Sequence, residues 1–286
     1  MRVLIPTDFS TTANNALEYA SNISNLAKSS ITLLHIYTPV VSPNNMLSAL
    51  VTDEILAIKK EALLKLGDLQ KMLEVEFPGI VCKTEVAVGE VVKEILAKAK
   101  ADDSEIIVMG TMGASNLSRA LFGSNTALVI EKSDCPVLCI PSGYTFKAPK
   151  RILFATNFSY HDIHGISKLI TLAKTFDSEI VVAHVDTTPE DDAELSSLEK
   201  FVAEVKLTTG YKKITQMMVS DHNVGMGLES IIDTSNIDLL ALATHRRNFF
   251  EKFYKPSLTK KISLYTQIPI AVFQNPTDEI EDGTDF

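Results

Sequence analysis

Between Met109 and Pro141 the chain reads MGTMGASNLSRALFGSNTALVIEKSDCPVLCIP, with glycines at Gly110, Gly113 and Gly123 and Ser-Asn-Thr directly after the last. Glycine has no Cβ and tolerates positive φ, so a loop built on several of them lets backbone approach a ligand closely. Gly123-Ser124 also opens a helical pattern, and the first N–H groups of a helix have no partner inside it. The amides of Ser124, Asn125 and Thr126 therefore suit a phosphate chain. Other reactive residues suggest less. Cys82, Cys135 and Cys139 form no disulfide framework, and the last two lack the spacing and neighbouring histidines of a zinc site, so they read as buried small hydrophobes in a reducing cytoplasm. His161 and His164 place two ligands on one helix face without a third. His35 and His184 hold matching places in two similar segments, which points to a shared packing role.

Those segments belong to a repeat. VLIPTDFS (Val3–Ser10) aligns with ILFATNFS (Ile152–Ser159), and at the same offset ITLLHI (Ile31–Ile36) aligns with IVVAHV (Ile180–Val185). Further on, SEIIVMGT (Ser104–Thr111) meets IDLLALAT (Ile237–Thr244), and CPVLCIP (Cys135–Pro141) meets IPIAVFQ (Ile268–Gln274). Two copies of one unit follow, residues 1–143 and 150–275, with Ser142–Lys150 as linker and an acidic tail, 276–286, read as disordered. In the first copy, spacing predicts strands at Val3–Ile5, Ile31–Tyr37, Val81–Val86, Ile106–Met109 and Val137–Ile140. It predicts helices at Thr12–Lys28, Asn45–Glu76, Glu90–Lys100 and Ser124–Ser133. The long helix carries Leu47, Leu50, Ile55, Ile58, Ala62, Leu66, Leu69 and Leu73 as one buried stripe. Apolar strands alternating with helices imply a parallel sheet covered on both faces, a doubly wound α/β fold built twice. Such sheets bind ligands beyond the carboxyl ends of their strands, where strand order reverses, and the glycine stretch lies at that end.

Composition agrees with a globular protein: 286 residues, 45% hydrophobic and 22% charged. No apolar run approaches the ~20 residues of a membrane span, so no membrane partner and a cytoplasmic location are expected. The net charge of -9 argues against nucleic acid, although five of the acids, Asp278, Glu279, Glu281, Asp282 and Asp285, sit in the tail.

The spacing GxxG, nine residues, then G[ST] is filled by Gly110, Gly113, Ala114–Phe122, Gly123 and Ser124. With IPTDFS closing the first strand and LLHIY the second, it resembles the ATP-binding motif of the universal stress protein family, and the likeness runs from Arg2 to Gln274. The resemblance implies two tandem five-stranded parallel sheets of Rossmann-like, adenine nucleotide alpha hydrolase-like type, packed as an internal pseudo-dimer through their last strands. It implies ATP, with Mg²⁺ optional, as the cofactor. It places Pro6, Thr7 and Asp8 over the nucleoside and near the phosphates, and gives the adenine to the backbone at Ile36. It puts Val88 and Gly89 on the base side, Met109, Gly110 and Gly113 beside the ribose and phosphates, and Ser124 and Asn125 on the phosphate chain. Asp8, the one acid of this set, is assigned to the ribose hydroxyls or Mg²⁺, with a plain helix N-cap as the alternative; Ser124 has the same alternative. Arg119 is open between the terminal phosphate and solvent.

The second copy replaces the glycines: Ala243 for Gly110, Arg246 for Gly113 and Pro256 for Gly123, with Asn157 for Asp8. Proline suits the first turn of a helix but offers no N–H, so the helix is expected to survive and the cradle to be lost. His245-Arg246-Arg247 is either a solvated basic loop or a site for another anion. The expectation is a stress-response protein that binds adenine nucleotide in its first domain, with protein partners unassigned and a further homodimer open. The alternatives are a nucleotide-free interaction module and a slow ATP-hydrolysing enzyme. IPTDFSTTA lacks the glycine-rich loop of related enzymes that cleave ATP between the α and β phosphates, and a lone Asp8 argues against a response-regulator receiver.

Overall fold

A computed structural model describes residues 1–39, 48–111, 122–187, 193–244 and 267–274. The chain divides into two compact units between Phe146 and Lys147, with the short stretch Ile130–Pro136 grouped with the second.

The first unit runs β1 (Arg2–Pro6), α1 (Thr11–Ala27), β2 (Ser30–Tyr37), α2 (Ser48–Glu76), β3 (Val81–Val88), α3 (Val91–Ala101), β4 (Ile106–Gly110), α4 (Ser124–Lys132) and β5 (Val137–Ile140). All its strand pairs are parallel, in the order β3-β2-β1-β4-β5. Each element foreseen from the spacing is present, with ends displaced by a few residues. Leu4, Ile5, Ile107, Leu138 and Ile140 have no exposed surface, so the inner strands are covered on both faces. The edge strand β3 departs from that expectation. It alternates exposed Val81, Lys83 and Glu85 with buried Cys82 and Val86, because an edge position is packed on one face only. In α2 the expected stripe is real: Ala62, Leu66 and Leu73 are buried and Ile55, Ile58 and Leu69 half-buried, while Leu47 and the Leu50 side chain lie outside the described residues.

The register between β1 and β4 pairs Val3 with Ile106 and Leu4 with Ile107. Pro6 accounts for its short extent. Successive N–H groups of a strand point to opposite sides, and the Thr7 N–H donates to the Leu34 carbonyl on β2, so the nitrogen of Pro6 faces β4 and carries no hydrogen. A proline in a central strand removes a ladder bond. Here the missing bond lies at the switch point of the strand order, where a crevice is needed.

The second unit repeats the plan with β6 (Arg151–Ala155), α5 (Tyr160–Phe176), β7 (Glu179–Asp186), α6 (Ala193–Thr209), β8 (Ile214–Ser220), α7 (Val224–Thr234), β9 (Leu239–Thr244) and β10 (Ile270–Gln274). Its order is β8-β7-β6-β9-β10, again parallel. Ala155 replaces Pro6, and the register between β6 and β9 continues to Ala155 opposite Leu242.

The linker is held by side chains. Asn15 Nδ2 donates to the carbonyls of Pro141 at 3.1 Å and Tyr144 at 2.8 Å, and the Tyr144 and Phe146 rings pack on Tyr19. From Lys147 onward the chain is fixed to Asp238, whose side chain pairs with the Lys147 ammonium and accepts the N–H groups of Lys150 and Arg151 at 2.8 and 3.0 Å. Among the described residues no helix is long and apolar enough to cross a membrane.

Candidate functional site

A cavity of about 280 Å³ opens at the carboxyl ends of β1 and β4. Pro6, Thr7 and Asp8 form one wall with Ile36 of β2, Met109 and Gly110 close β4 against it, and Gly123, Ser124 and Asn125 bring the start of α4 to it. These are residues that the sequence singled out, drawn from four segments. Gly113 and Arg119 lie outside the described residues. Val88 and Gly89 are not on the wall. Val88 ends β3 beside Tyr37 with its side chain 41% exposed, and the Gly89 N–H donates to the Tyr37 carbonyl at 3.0 Å. Val91 and Ile95 of α3 supply the apolar flank instead. Sequence reading also missed Ser10 and Ala13 as wall residues, while Thr126, named there for its amide, is on the wall. Helical spacing from Ser10 was the available signal for Ala13.

The start of α4 is tied to the end of β4. Thr126 Oγ1 donates to the Gly110 carbonyl at 2.9 Å, and the Gly123 N–H donates to the Thr111 carbonyl at 2.6 Å. The Ala127 N–H donates to the Gly123 carbonyl at 2.9 Å, so the first helical bond starts at Gly123 and Ser124 lies within the first turn, not at the cap. This leaves the opening amides of α4 at the cavity, a setting that favours anionic oxygen.

The glycines act differently from the expectation. Positive φ among the described glycines occurs at Gly79, Gly143 and Gly210, so neither Gly110 nor Gly123 is there for a left-handed backbone. A Cβ on Gly110 would stand 2.5 Å from Thr12 Cγ2 and 3.0 Å from the Thr12 carbonyl oxygen. The close approach is of α1 to β4. In the second unit Ala243 takes this place and the glycine has moved across to α5, where a Cβ on Gly165 would stand 2.9 Å from Ala243 Cβ.

The loop after β1 has a fixed shape. Phe9 adopts φ 61°, its N–H donates to Thr7 Oγ1 at 3.0 Å, and the Ser10 N–H donates to Asp8 Oδ1 at 3.0 Å. Ser10, not Asp8, caps α1, accepting the Ala13 N–H at 3.2 Å. Asp8 is thus a loop carboxylate on the exposed side of the cavity wall. The second unit builds the same loop: Phe158 has φ 64° and donates its N–H to Thr156 Oγ1 at 3.0 Å. His35 Nδ1 lies 2.8 Å from the Thr7 carbonyl oxygen and His184 Nδ1 the same distance from that of Thr156, with ring contacts to Phe9 and Phe158. The two histidines share one packing role. His184 adds a 2.9 Å contact from Nε2 to Glu194 Oε2.

Among the described residues no group of three His, Cys, Asp or Glu side chains is placed to hold a metal. Burial, with the charge of Glu74, pushes the Cys82 thiol up to about 11, and burial also pushes the Cys139 thiol up. Both stay protonated at neutral pH, as packing residues do. His245, Arg246, Arg247 and Pro256 lie outside the described residues.

The sequence profile of the universal stress protein family matches residues 1–141 and again 149–274. The universal stress protein MJ0577 of Methanocaldococcus jannaschii is 31% identical over 153 residues, 49% of this chain and 93% of that protein. YxiE of Bacillus subtilis, also a universal stress protein, is 30% identical over 146 residues, 49% of this chain and 97% of its own. Over both units the fold matches the crystal structure of a universal stress protein from Archaeoglobus fulgidus, with a TM-score of 0.73 and 18% identity, covering 96% of this chain and 98% of that one. The chain belongs to the universal stress protein family, with two of its domains in tandem.

Proposed function

We propose that the first unit binds ATP in the cavity at the ends of β1 and β4, and that the chain works as a nucleotide-dependent regulatory module in the stress response. Nucleotide binding is known in some members of the family. The observation that carries the reading is the lining: Ser124, Asn125 and Thr126, in the first turn of α4 where amides lack helical partners, line the same cavity as Asp8 and an apolar flank. The phosphates would take the α4 amides, with the Ser124 and Asn125 side chains beside them. Asp8 would take the ribose hydroxyls or Mg²⁺. Ile36, Val91, Ile95 and Met109 would bury the base, as apolar walls do in small-molecule sites of about 300 Å³ and upward. When bound, the nucleotide supplies charge and a cleavable phosphate chain.

Titration calorimetry on chain freed of carried-over ligand tests this, with one ATP per chain as the expected result. Ligand released from freshly purified protein and identified by mass should be an adenine nucleotide. No uptake at millimolar ATP would instead favour the nucleotide-free interaction module.

A further inference from the structure

One carboxylate changes place between the two copies of the β–α loop. In the first unit it is Asp8, exposed, accepting the Ser10 N–H, and the residue in the first turn of α1 that meets the cavity is Ala13. In the second unit Asn157 stands for Asp8 and Asp162 stands for Ala13. Asp162 is only 4% exposed. Its Oδ2 accepts the Thr156 hydroxyl at 2.7 Å and the Asn157 and Ser159 N–H groups at 3.2 Å each. The loop keeps its acid, but the acid now arrives from the helix and sits inside.

A buried carboxylate is tolerated only when its oxygens are hydrogen-bonded, and here three donors converge on one oxygen. That is also the environment a ligand's anionic oxygen requires. The two loops share the Phe9 and Phe158 backbone turn, the threonine hydroxyl that receives it, and the histidine contact beneath. The position of Asp162 Oδ2 therefore corresponds, in the first unit, to a point beside the Thr7 hydroxyl and the Asp8 N–H on the Ala13 side of the cavity. We propose that Asp162 is the built-in occupant of the second unit, and that the residue at this helix position, Ala13 or Asp162, decides which unit admits an anionic ligand. A phosphate entering the second loop would find these donors engaged and a negative charge among them, a repulsion that weak local screening makes strong. The argument rests on the first cavity being an anion site. It does not depend on the glycine replacements Arg246 and Pro256, which lie outside the described residues.

Ala13→Asp in the full chain is expected to weaken ATP by about 100-fold, as like charges in a desolvated site do, while calorimetric melting still shows a folded first unit. If that variant does not fold, Asp8→Asn with Ala13→Asp copies the arrangement the second unit already tolerates and is compared with Asp8→Asn alone. ATP affinity within about threefold of the parent in whichever variant folds would overturn the proposal. A second arm needs no nucleotide: in Asp162→Ala, hydrogen exchange at the Asn157 and Ser159 amides should quicken about tenfold, with Phe9 and Ser10 unchanged. Undiminished protection at Asn157 and Ser159 would show that Asp162 is not the occupant. A wild-type chain that takes up no ATP defeats the nucleotide reading and leaves this second arm to decide the role of Asp162.

Discussion

Gly110 answers to two neighbours. It lines the cavity, and it also lets α1 approach β4 so closely that any Cβ would collide with Thr12. The second demand suffices on its own. Gly110→Ala is expected to destabilise the first unit by about 1–3 kcal/mol, the usual cost of overpacking. Adding Thr12→Ser, which removes Cγ2, should restore part of the loss in denaturant titrations; an unchanged Gly110→Ala midpoint would show that the contact is not tight. From sequence this glycine looked like a ligand-facing one, because its steric partner is distant in the chain and nothing in the local pattern marks it. Asp238 is a different case, a polar residue whose surroundings decide its charge. Burial alone would raise its carboxyl, but the Lys147 ammonium, with the Arg151 and Lys150 amides, outweighs burial and holds it below the ordinary value of 3.8. A depressed folded value contributes stability above the unfolded value that fades as pH falls through the folded one. Acid titration of the second unit should therefore lose stability below about pH 4, and Asp238→Asn should flatten that slope and cost about 1–3 kcal/mol at neutral pH.

Pro6 and Ala155 occupy equivalent places in the two central strands, and the ladder beside each differs accordingly. Ala155→Pro should remove a bond between β6 and β9, leave its carbonyl partner unpaired, and destabilise the second unit by about 1–3 kcal/mol. Pro6→Ala should stay within about 1 kcal/mol of neutral, since the new donor is offset by a freer unfolded chain. Parallel denaturant melts would test both, and a neutral Ala155→Pro would contradict the register. The elements themselves were readable from sequence, because inner strands of a parallel sheet are apolar on both faces and helices show their spacing. Edge strand β3 was readable in place but not in pattern. The cavity wall was legible where the backbone makes it, at Pro6–Asp8 and Gly123–Asn125. At the base side the lining comes from Val91 and Ile95 of α3, and Val88 and Gly89 are not among the lining residues. The internal ligand role of Asp162 was invisible, since an acid in the first turn of a helix is common for electrostatic reasons alone.

For the whole chain, ligand binding should stabilise one unit and not the other. If 1 mM ATP with Mg²⁺ is a hundredfold excess over the dissociation constant, the native first unit gains about 2.7 kcal/mol. For a unit of its size that is a rise of about 5–10 °C in melting temperature. Two units need not unfold together, so the shift belongs to the transition that carries residues 1–141. Asp8→Ala should shrink it and His245→Ala should leave it unchanged. Equal shifts in both transitions would mean that the second unit also takes nucleotide.

The segment joining the units bears on proteolysis. A join between domains is ordinarily where a protease cuts first, and this one offers trypsin Lys147, Lys150 and Arg151 in close succession. Cleavage depends on the backbone being released into the enzyme, however, not on the presence of a basic side chain. The amides of Lys150 and Arg151 are both bound to Asp238, and the Lys147 ammonium is paired with the same carboxylate. Under native conditions the join should therefore resist trypsin. Asp238→Asn should make it an early cut, so that digestion with time reports on one buried carboxylate.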